Sequence, residues 1–265
     1  MATPKTERDQ LIVTEGAAGR HLDWDGCFNV RDLGGLAAAG GRVTRRSAVV
    51  RADSLSQLTA RGWAQLEAHG VRTVIDLRNE DECGEDVAPR PAGVETIRIP
   101  LDETADREFW DDWESGLQYA TPLYYGAHLH RFPEKSAAVL VAIAAAPPGG
   151  VAFHCAGGRD RSGQIAILVL ALAGVREEEI VADYLLSHER LPALYAARGE
   201  EDQTPMLEAF LRENGTSAAA EIGRLLAEDL EAVLGTGGLT GADLAALRMR
   251  LLQGPRLQAT QFGRR

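Results

Sequence analysis

The sequence predicts an α/β fold, with a central, mainly parallel sheet flanked by helices and a helical lid at the C-terminal end. Three observations predict it. Helical and strand-like segments alternate from Thr59 onward, the pattern of chains that build parallel sheets. Gly149-Gly150-Val151-Ala152-Phe153 reads as a short buried strand entering a glycine-rich loop, and Gln164 to Leu172 leaves that loop as a buried helix. A chain of 265 residues with 45% hydrophobic content can bury a full core as one α/β domain plus an appendage.

Taken in order, residues 1–20 read as a loose arm, and residues 21–265 as one domain whose final part, from about 187 to 265, is a helical lid or extension. Leu33 to Gly41 is rich in turn residues and precedes a strand near Ser47 to Arg51. Thr59 caps a helix that turns Trp63 and Leu66 inward and ends at Gly70. Strands follow over Val71 to Leu77 and Glu95 to Pro100, then an aromatic insertion containing Trp110, Trp113, Tyr119, Tyr124 and Tyr125. Lys135 to Ala146 reads as a helix stopped by Pro147-Pro148, whose turn feeds the loop strand. Beyond Tyr184, Leu191-Pro192 is expected to break a helix, Arg198 to Gln203 to form a charged loop, and Thr204-Pro205 to begin an amphipathic helix. Thr240-Gly241-Ala242-Asp243 forms a capping box for a last helix, Leu244 to Leu252. The segments over Leu191 to Leu211 are too short and too amphipathic to fold alone, so they are expected to pack across the mouth of the glycine-rich loop.

Composition narrows the function. A net charge of −11 argues against a nucleic-acid partner. Three cysteines give no even disulfide framework, which makes a reducing compartment the default. The polar, mixed-charge start does not read as a signal peptide, and the longest apolar run, about ten residues, is far short of an integral membrane segment. The expected location is the cytoplasm, with signal-independent secretion left open.

The chemistry concentrates in His154-Cys155-Ala156-Gly157-Gly158-Arg159-Asp160-Arg161-Ser162-Gly163, at the strand–helix junction. Backbone N–H groups of a tight loop at a helix N-terminus converge on an anion, and the helix dipole adds positive potential there. Ala156, Gly157, Gly158, Arg159, Asp160 and Arg161 are therefore the candidate phosphate-binding residues, with the two glycines supplying the conformations such a nest demands. The field that holds phosphate also favours thiolate over thiol, so Cys155 at its floor is the candidate nucleophile. Arg161, six positions on, can place a planar guanidinium against two phosphoryl oxygens and follow them into a trigonal bipyramid. Ser162 can donate to the sulfur when thiolate must leave, and His154 can fix the loop from behind. Asp76 and Arg78, at a nearby strand end, either orient Arg161 or pair with each other. Cys27 and Cys83 read as ordinary thiols. The chemistry requires no metal or other cofactor.

Cys-x-x-x-x-x-Arg-Ser with His before the Cys resembles the signature loop of the cysteine-dependent protein tyrosine phosphatases. More narrowly, the Gly-Arg-Asp-Arg-Ser-Gly ending is similar to bacterial tyrosine and lipid phosphatases whose loop reads His-Cys-x-x-Gly-Lys-Asp-Arg-Thr-Gly. Phe28-Asn29-Val30-Arg31-Asp32-Leu33-Gly34-Gly35 resembles the N-terminal motif of that family, Val71 to Arg78 its first central strand, and Ile180 to Leu185 the helix after its loop. The resemblance covers most of the chain, by order alone across Thr104 to Tyr125 and beyond Leu191. Arg159 stands where the family usually has Lys, a fork-shaped donor replacing a compact ammonium.

The resemblance implies hydrolysis of phosphotyrosine, with dual specificity open, through a phosphocysteine intermediate. It implies Asp160 as general acid. Asp102, 53 residues before Cys155, holds the topological place of the upstream acid in other tyrosine phosphatases, and is the alternative. A carboxylate at that position equally suits capping a turn. The expected partner is a phosphorylated protein or a phosphoinositide. A phosphoinositide phosphatase, the rival within enzymes, needs a wider, more basic pocket to which Arg159, Arg31 and Arg51 are candidate contributors. Outside enzymes the rival is a phosphoprotein-binding pseudophosphatase, against which the intact Cys155, Arg161 and Ser162 weigh.

Overall fold

A computed structural model describes residues 19–254, so the arm expected over residues 1–20 lies outside the described residues up to position 18. The central sheet holds β1 (Arg31–Asp32), β4 (Val49–Ala52), β7 (Gly150–His154), β5 (Val71–Asp76) and β6 (Glu95–Arg98), in that spatial order. β4, β7, β5 and β6 run parallel, and β1 lies antiparallel on one edge. Short Val/Ile runs buried on both faces make such strands, and every residue of β7 is buried.

The period-2 alternation of these strands divides the core. Val50, Val74 and Ala152 face α1 (Ala60–Ala68), which meets them with Trp63 and Leu66. Val49, Ile75, Val151 and Phe153 face the opposite way, toward α4 (Pro133–Ala145), α5 (Arg161–Leu172) and α6 (Glu177–Arg198). The side chain of Thr59 caps α1 by accepting from the N–H of Gly62, as the sequence predicts. In register, His154 pairs with Ala52 on one side and Asp76 on the other. The loop after β7 thus leaves the sheet in the crevice at the carboxyl ends of three parallel strands, where open α/β sheets bind ligands.

Three segments depart from the reading of the sequence. Turn-rich residues before β4 also form β2 (Ala37–Ala38) and β3 (Arg42–Thr44), which make a small antiparallel sheet with β8 (Leu252–Gln253). The aromatic insertion folds into α2 (Arg107–Trp113), two 3₁₀ turns and α3 (Tyr125–Arg131), held by edge-on contacts such as Phe109–Trp110 and Tyr124–Tyr125. Pro192 does not break its helix: α6 runs through it for 22 residues. The proline sits on the exposed side, while Leu191, Leu194 and Tyr195 are buried in a cluster against Phe28, and this burial outweighs the lost backbone bond.

Beyond α6 come α7 (Thr204–Glu213), α8 (Ala218–Leu226), α9 (Leu230–Thr236) and α10 (Gly241–Leu251). α9 and α10 pack on α4, and α8 on α3 and α6, so these three continue the main core. Among the described residues no helix is long and apolar enough to cross a membrane.

Behind the crevice one carboxylate gathers three guanidiniums. Asp183, on α6, lies 2.6 Å from Arg20, 3.2 Å from Arg31 and 3.0 Å from Arg51, with all four side chains at most 2% exposed. Burial alone would raise the carboxyl pKa of Asp183, but Arg31, Arg20 and Arg51 hold it well below the carboxylate range. Burial and the neighbouring Arg51 pull Arg31 down to about 9, against the opposing pull of Asp183. A depressed carboxyl stabilises the fold above its unfolded pKa, about 4, and that stability is lost as the pH falls through the lower folded value. Asp183→Asn is therefore expected to lower stability at pH 7 by about 3–5 kcal/mol, as removal of one partner from a buried ion cluster does. Urea denaturation at several pH values checks this: the gap to wild type should narrow only below about pH 4, and equal stability at pH 7 would remove the cluster from this role.

Candidate active site

The loop from Cys155 to Asp160 is pressed onto the end of β4. Gly158 has φ +70°, and a Cβ there would stand 2.7 Å from the Asp53 backbone nitrogen and 2.8 Å from the Ala52 carbonyl. Its N–H donates to Cys155 Sγ at 3.3 Å. Cys155 is buried at the floor of a cavity of about 220 Å³, lined also by Ala156, Gly157, Arg159, Asp160 and Arg161. Tyr119 and Tyr124 of the aromatic insertion form one wall, and Leu191, Leu194, Tyr195 and Arg198 of α6 another, with Glu200 and Gln203 at the mouth.

Each carbonyl from Ala156 to Asp160 accepts a bond from outside the loop. Ala156 O accepts from the Ser54 N–H at 3.2 Å and Arg198 Nη2 at 3.0 Å. Gly157 O accepts from Asn29 Nδ2 at 3.0 Å, and Arg51 Nη2 donates to Gly158 O at 2.8 Å and Arg159 O at 3.2 Å. Asp160 O accepts from the Gln164 N–H of α5.

Arg161 has a partner that sequence reasoning missed. Glu82 takes its two Nη groups at 2.5 and 2.6 Å, a bidentate fork, and is itself set by a capping box in which it accepts from the Asn79 N–H at 3.2 Å. Burial opposes the charge on Arg161, but Glu82, Cys155 and Asp102 together raise its pKa. Asp102 reaches Arg161 Nε at 3.5 Å, outside the cavity lining. Burial pushes it up to about 6 despite Arg161. Its other oxygen faces His128 Nε2 at 3.6 Å, a ring that burial lowers to about 4.

Asp160, in contrast, is on the cavity wall. It occupies the N-cap position of α5 without capping, and its carboxylate accepts instead from Arg159 Nε at 3.2 Å and the Tyr125 hydroxyl at 3.4 Å. Burial opposes the charge on Arg159, but Asp160 together with Tyr184, Tyr195 and Tyr125 raises its pKa. Arg159 Nη1 also donates to the Tyr195 hydroxyl.

The remaining predicted residues take other places. Ser162 gives its hydroxyl proton to Ala52 O at 3.3 Å, so that proton is engaged there and not on the sulfur. His154 is fully buried behind the loop with Nδ1 3.3 Å from Cys155 O, and burial lowers its pKa to about 4. Of the two readings of Asp76 and Arg78, the structure shows mutual pairing: Arg78 bonds both Asp76 oxygens and the Ser54 hydroxyl. Burial would raise Asp76, yet Arg78 and His154 bring it to about 2. Arg31 and Arg51, candidates for a basic pocket wall, are instead wholly buried on Asp183. Asn29, Arg31 and Asp183 lie within the segments resembling the N-terminal motif and the following helix, which was the available signal for them. Glu82 carries none.

A family model for tyrosine phosphatases matches residues 22–253. The chain belongs to the tyrosine phosphatase family. This phosphatase is 32% identical over 188 residues, 68% of either chain, to a Cupriavidus necator protein provisionally named a tyrosine-protein phosphatase. It is 30% identical over 204 residues, 66% of its own length and 72% of the relative, to the triple specificity protein phosphatase PtpB of Mycobacterium tuberculosis. A solved TpbA variant of P. aeruginosa in complex with phosphotyrosine aligns over 78% of this chain and 98% of its own, at 14% identity and a TM-score of 0.42.

Because the site beside Gly158 is filled by backbone, Gly158→Ala must displace the loop from β4. It is expected to lower stability by about 1–3 kcal/mol and to weaken orthovanadate binding. A thermal melt and a vanadate titration check this, and wild-type values in both would show that the loop does not need the close approach.

Proposed function

We propose that this phosphatase works by two displacements at Cys155. The observation that carries this reading is the placement of Cys155 Sγ at the cavity floor, bonded by the Gly158 N–H, with Arg161 on the same cavity wall. Cys155 thiolate attacks phosphorus; the S–P bond forms as the P–O bond to the leaving group breaks. The loop amides and Arg161 hold the equatorial oxygens, where fixed donors lower the barrier most. Asp160 gives its proton to the leaving oxygen, and then, as carboxylate, takes a proton from the water that cleaves phosphocysteine and frees the thiolate. His154 supports the loop from behind, and the Asp76–Arg78 pair braces the adjacent strand end.

Asp160 is preferred over Asp102 because it borders the cavity, whereas Asp102 is set behind Arg161. The substrate side of the cavity suits one aromatic phosphate. Tyr119, the exposed aromatic ring of the lining, offers an apolar surface for a phosphotyrosine side chain. A phosphoinositide headgroup finds less: Arg31 and Arg51 are turned away, and Arg159 is already paired with Asp160. Leu191 to Gln203 serves as the cover of this mouth within one phosphatase domain. The three free thiols suit a reducing compartment such as the cytoplasm.

Two measurements test this. Cys155→Ser should lose turnover of a phosphotyrosine peptide while still binding vanadate, and substantial residual hydrolysis would sink the covalent route. Asp160→Asn should slow alkyl phosphates more than aryl phosphates with good leaving groups, by roughly 100-fold or more for the alkyl class. The same pattern in Asp102→Asn, with Asp160→Asn unaffected, would transfer the proton to Asp102.

A further inference from the structure

We propose that Arg51 is a positioning residue for the reaction described above: by drawing the Gly158 and Arg159 carbonyls to itself, it turns the N–H groups of the phosphate loop toward the substrate. The inference rests on the phosphatase reading of the loop and adds to it the device that holds the loop in its working conformation.

A trans peptide unit carries its N–H and its C=O in one plane, pointing in opposite directions. A loop that aims several N–H groups at one anion must therefore place its carbonyls on the far side, and buried carbonyls need donors there. Arg51 supplies the central ones. It lies on β4, fully buried, and a single Nη2 serves both Gly158 O and Arg159 O. Nη1 is fixed by Asp183 Oδ2 at 3.0 Å, so the plane of the fork cannot turn away. Asn29 extends the same device to Gly157 O and is held in turn by Arg31 Nη1 at 2.7 Å. The anion-facing geometry of the loop is thus dictated from behind.

The test separates positioning from mere stability. Arg51→Lys keeps the charge and loses the fork; Arg20→Lys does the same to the same Asp183 carboxylate, and Arg20 touches no loop carbonyl. Melting temperature, orthovanadate affinity, and kcat and KM for an aryl phosphate are compared. Arg51→Lys is expected to weaken vanadate and lower kcat roughly 10- to 100-fold, the scale of hydrogen bonds to a charged group, with a much smaller change in KM. Arg20→Lys should melt lower by a similar amount and keep wild-type affinity and kcat. Wild-type vanadate affinity in Arg51→Lys, or an equal loss in Arg20→Lys, overturns the proposal. Should Arg51→Lys fail to fold, Asn29→Ala takes its place, with a several-fold loss of vanadate affinity expected and an unchanged affinity overturning it. Acid-quench trapping of phosphocysteine in the wild type separates the two readings: its absence would refute Cys155 as nucleophile, while the vanadate comparison still decides the role of Arg51.

Discussion

One buried carboxylate sets the terms for the rest of this molecule. Asp183 accepts from three guanidiniums that reach it from the segment before β1, from β1 itself and from β4. A charge buried without a partner would be prohibitive, so those segments are drawn to one point by electrostatics as much as by packing. Arg31 bonds Asn29, and Arg51 bonds the loop. The order therefore runs from a helix carboxylate, through arginines on the sheet, to carbonyls of the loop that surrounds Cys155. Mutual support of this kind fixes a conformation that the loop, rich in glycine, would not hold by its own propensity.

The distribution of charge follows the same logic. The chain carries a net charge of −11, yet positive groups are concentrated behind and around one cavity. Most are compensated at short range: Arg161 by Glu82, Arg159 by Asp160, Arg78 by Asp76. Under the function proposed above, the pull on a phosphate would be local, produced by amides and one arginine at contact distance, and would fall away over the acidic exterior.

What was legible in the sequence was what lies close together along it. The strand, loop and helix around Cys155 form one continuous run, so period, glycines and the Cys–Arg spacing all speak of a single place. The partners that hold that run do not. Asn29 is 128 residues from the carbonyl it binds, Arg51 107 from Gly158, and Glu82 79 from Arg161. Asn29 carries a signal only through the motif around it, and Glu82 carries none. β2, β3 and β8 are too short to show a period, with two or three residues apiece. Pro192 stays inside its helix because burial of its neighbours outweighs its local propensity. Ser162 was assigned by its position after the arginine, but its hydroxyl is claimed by a strand carbonyl.

The placement of Asp102 has a thermodynamic corollary. Its carboxyl titrates near 6, out of reach of the cavity but 3.5 Å from the arginine that borders it. Under the function proposed above, a phosphate dianion held by Arg161 would compete for that positive charge and bring negative charge nearby, and both effects would make the ionised carboxyl less favourable. Ligand capture would then draw a proton onto Asp102 from solvent. Binding and protonation would become linked equilibria, and affinity for oxyanions would inherit a dependence on pH from a carboxyl outside the cavity lining.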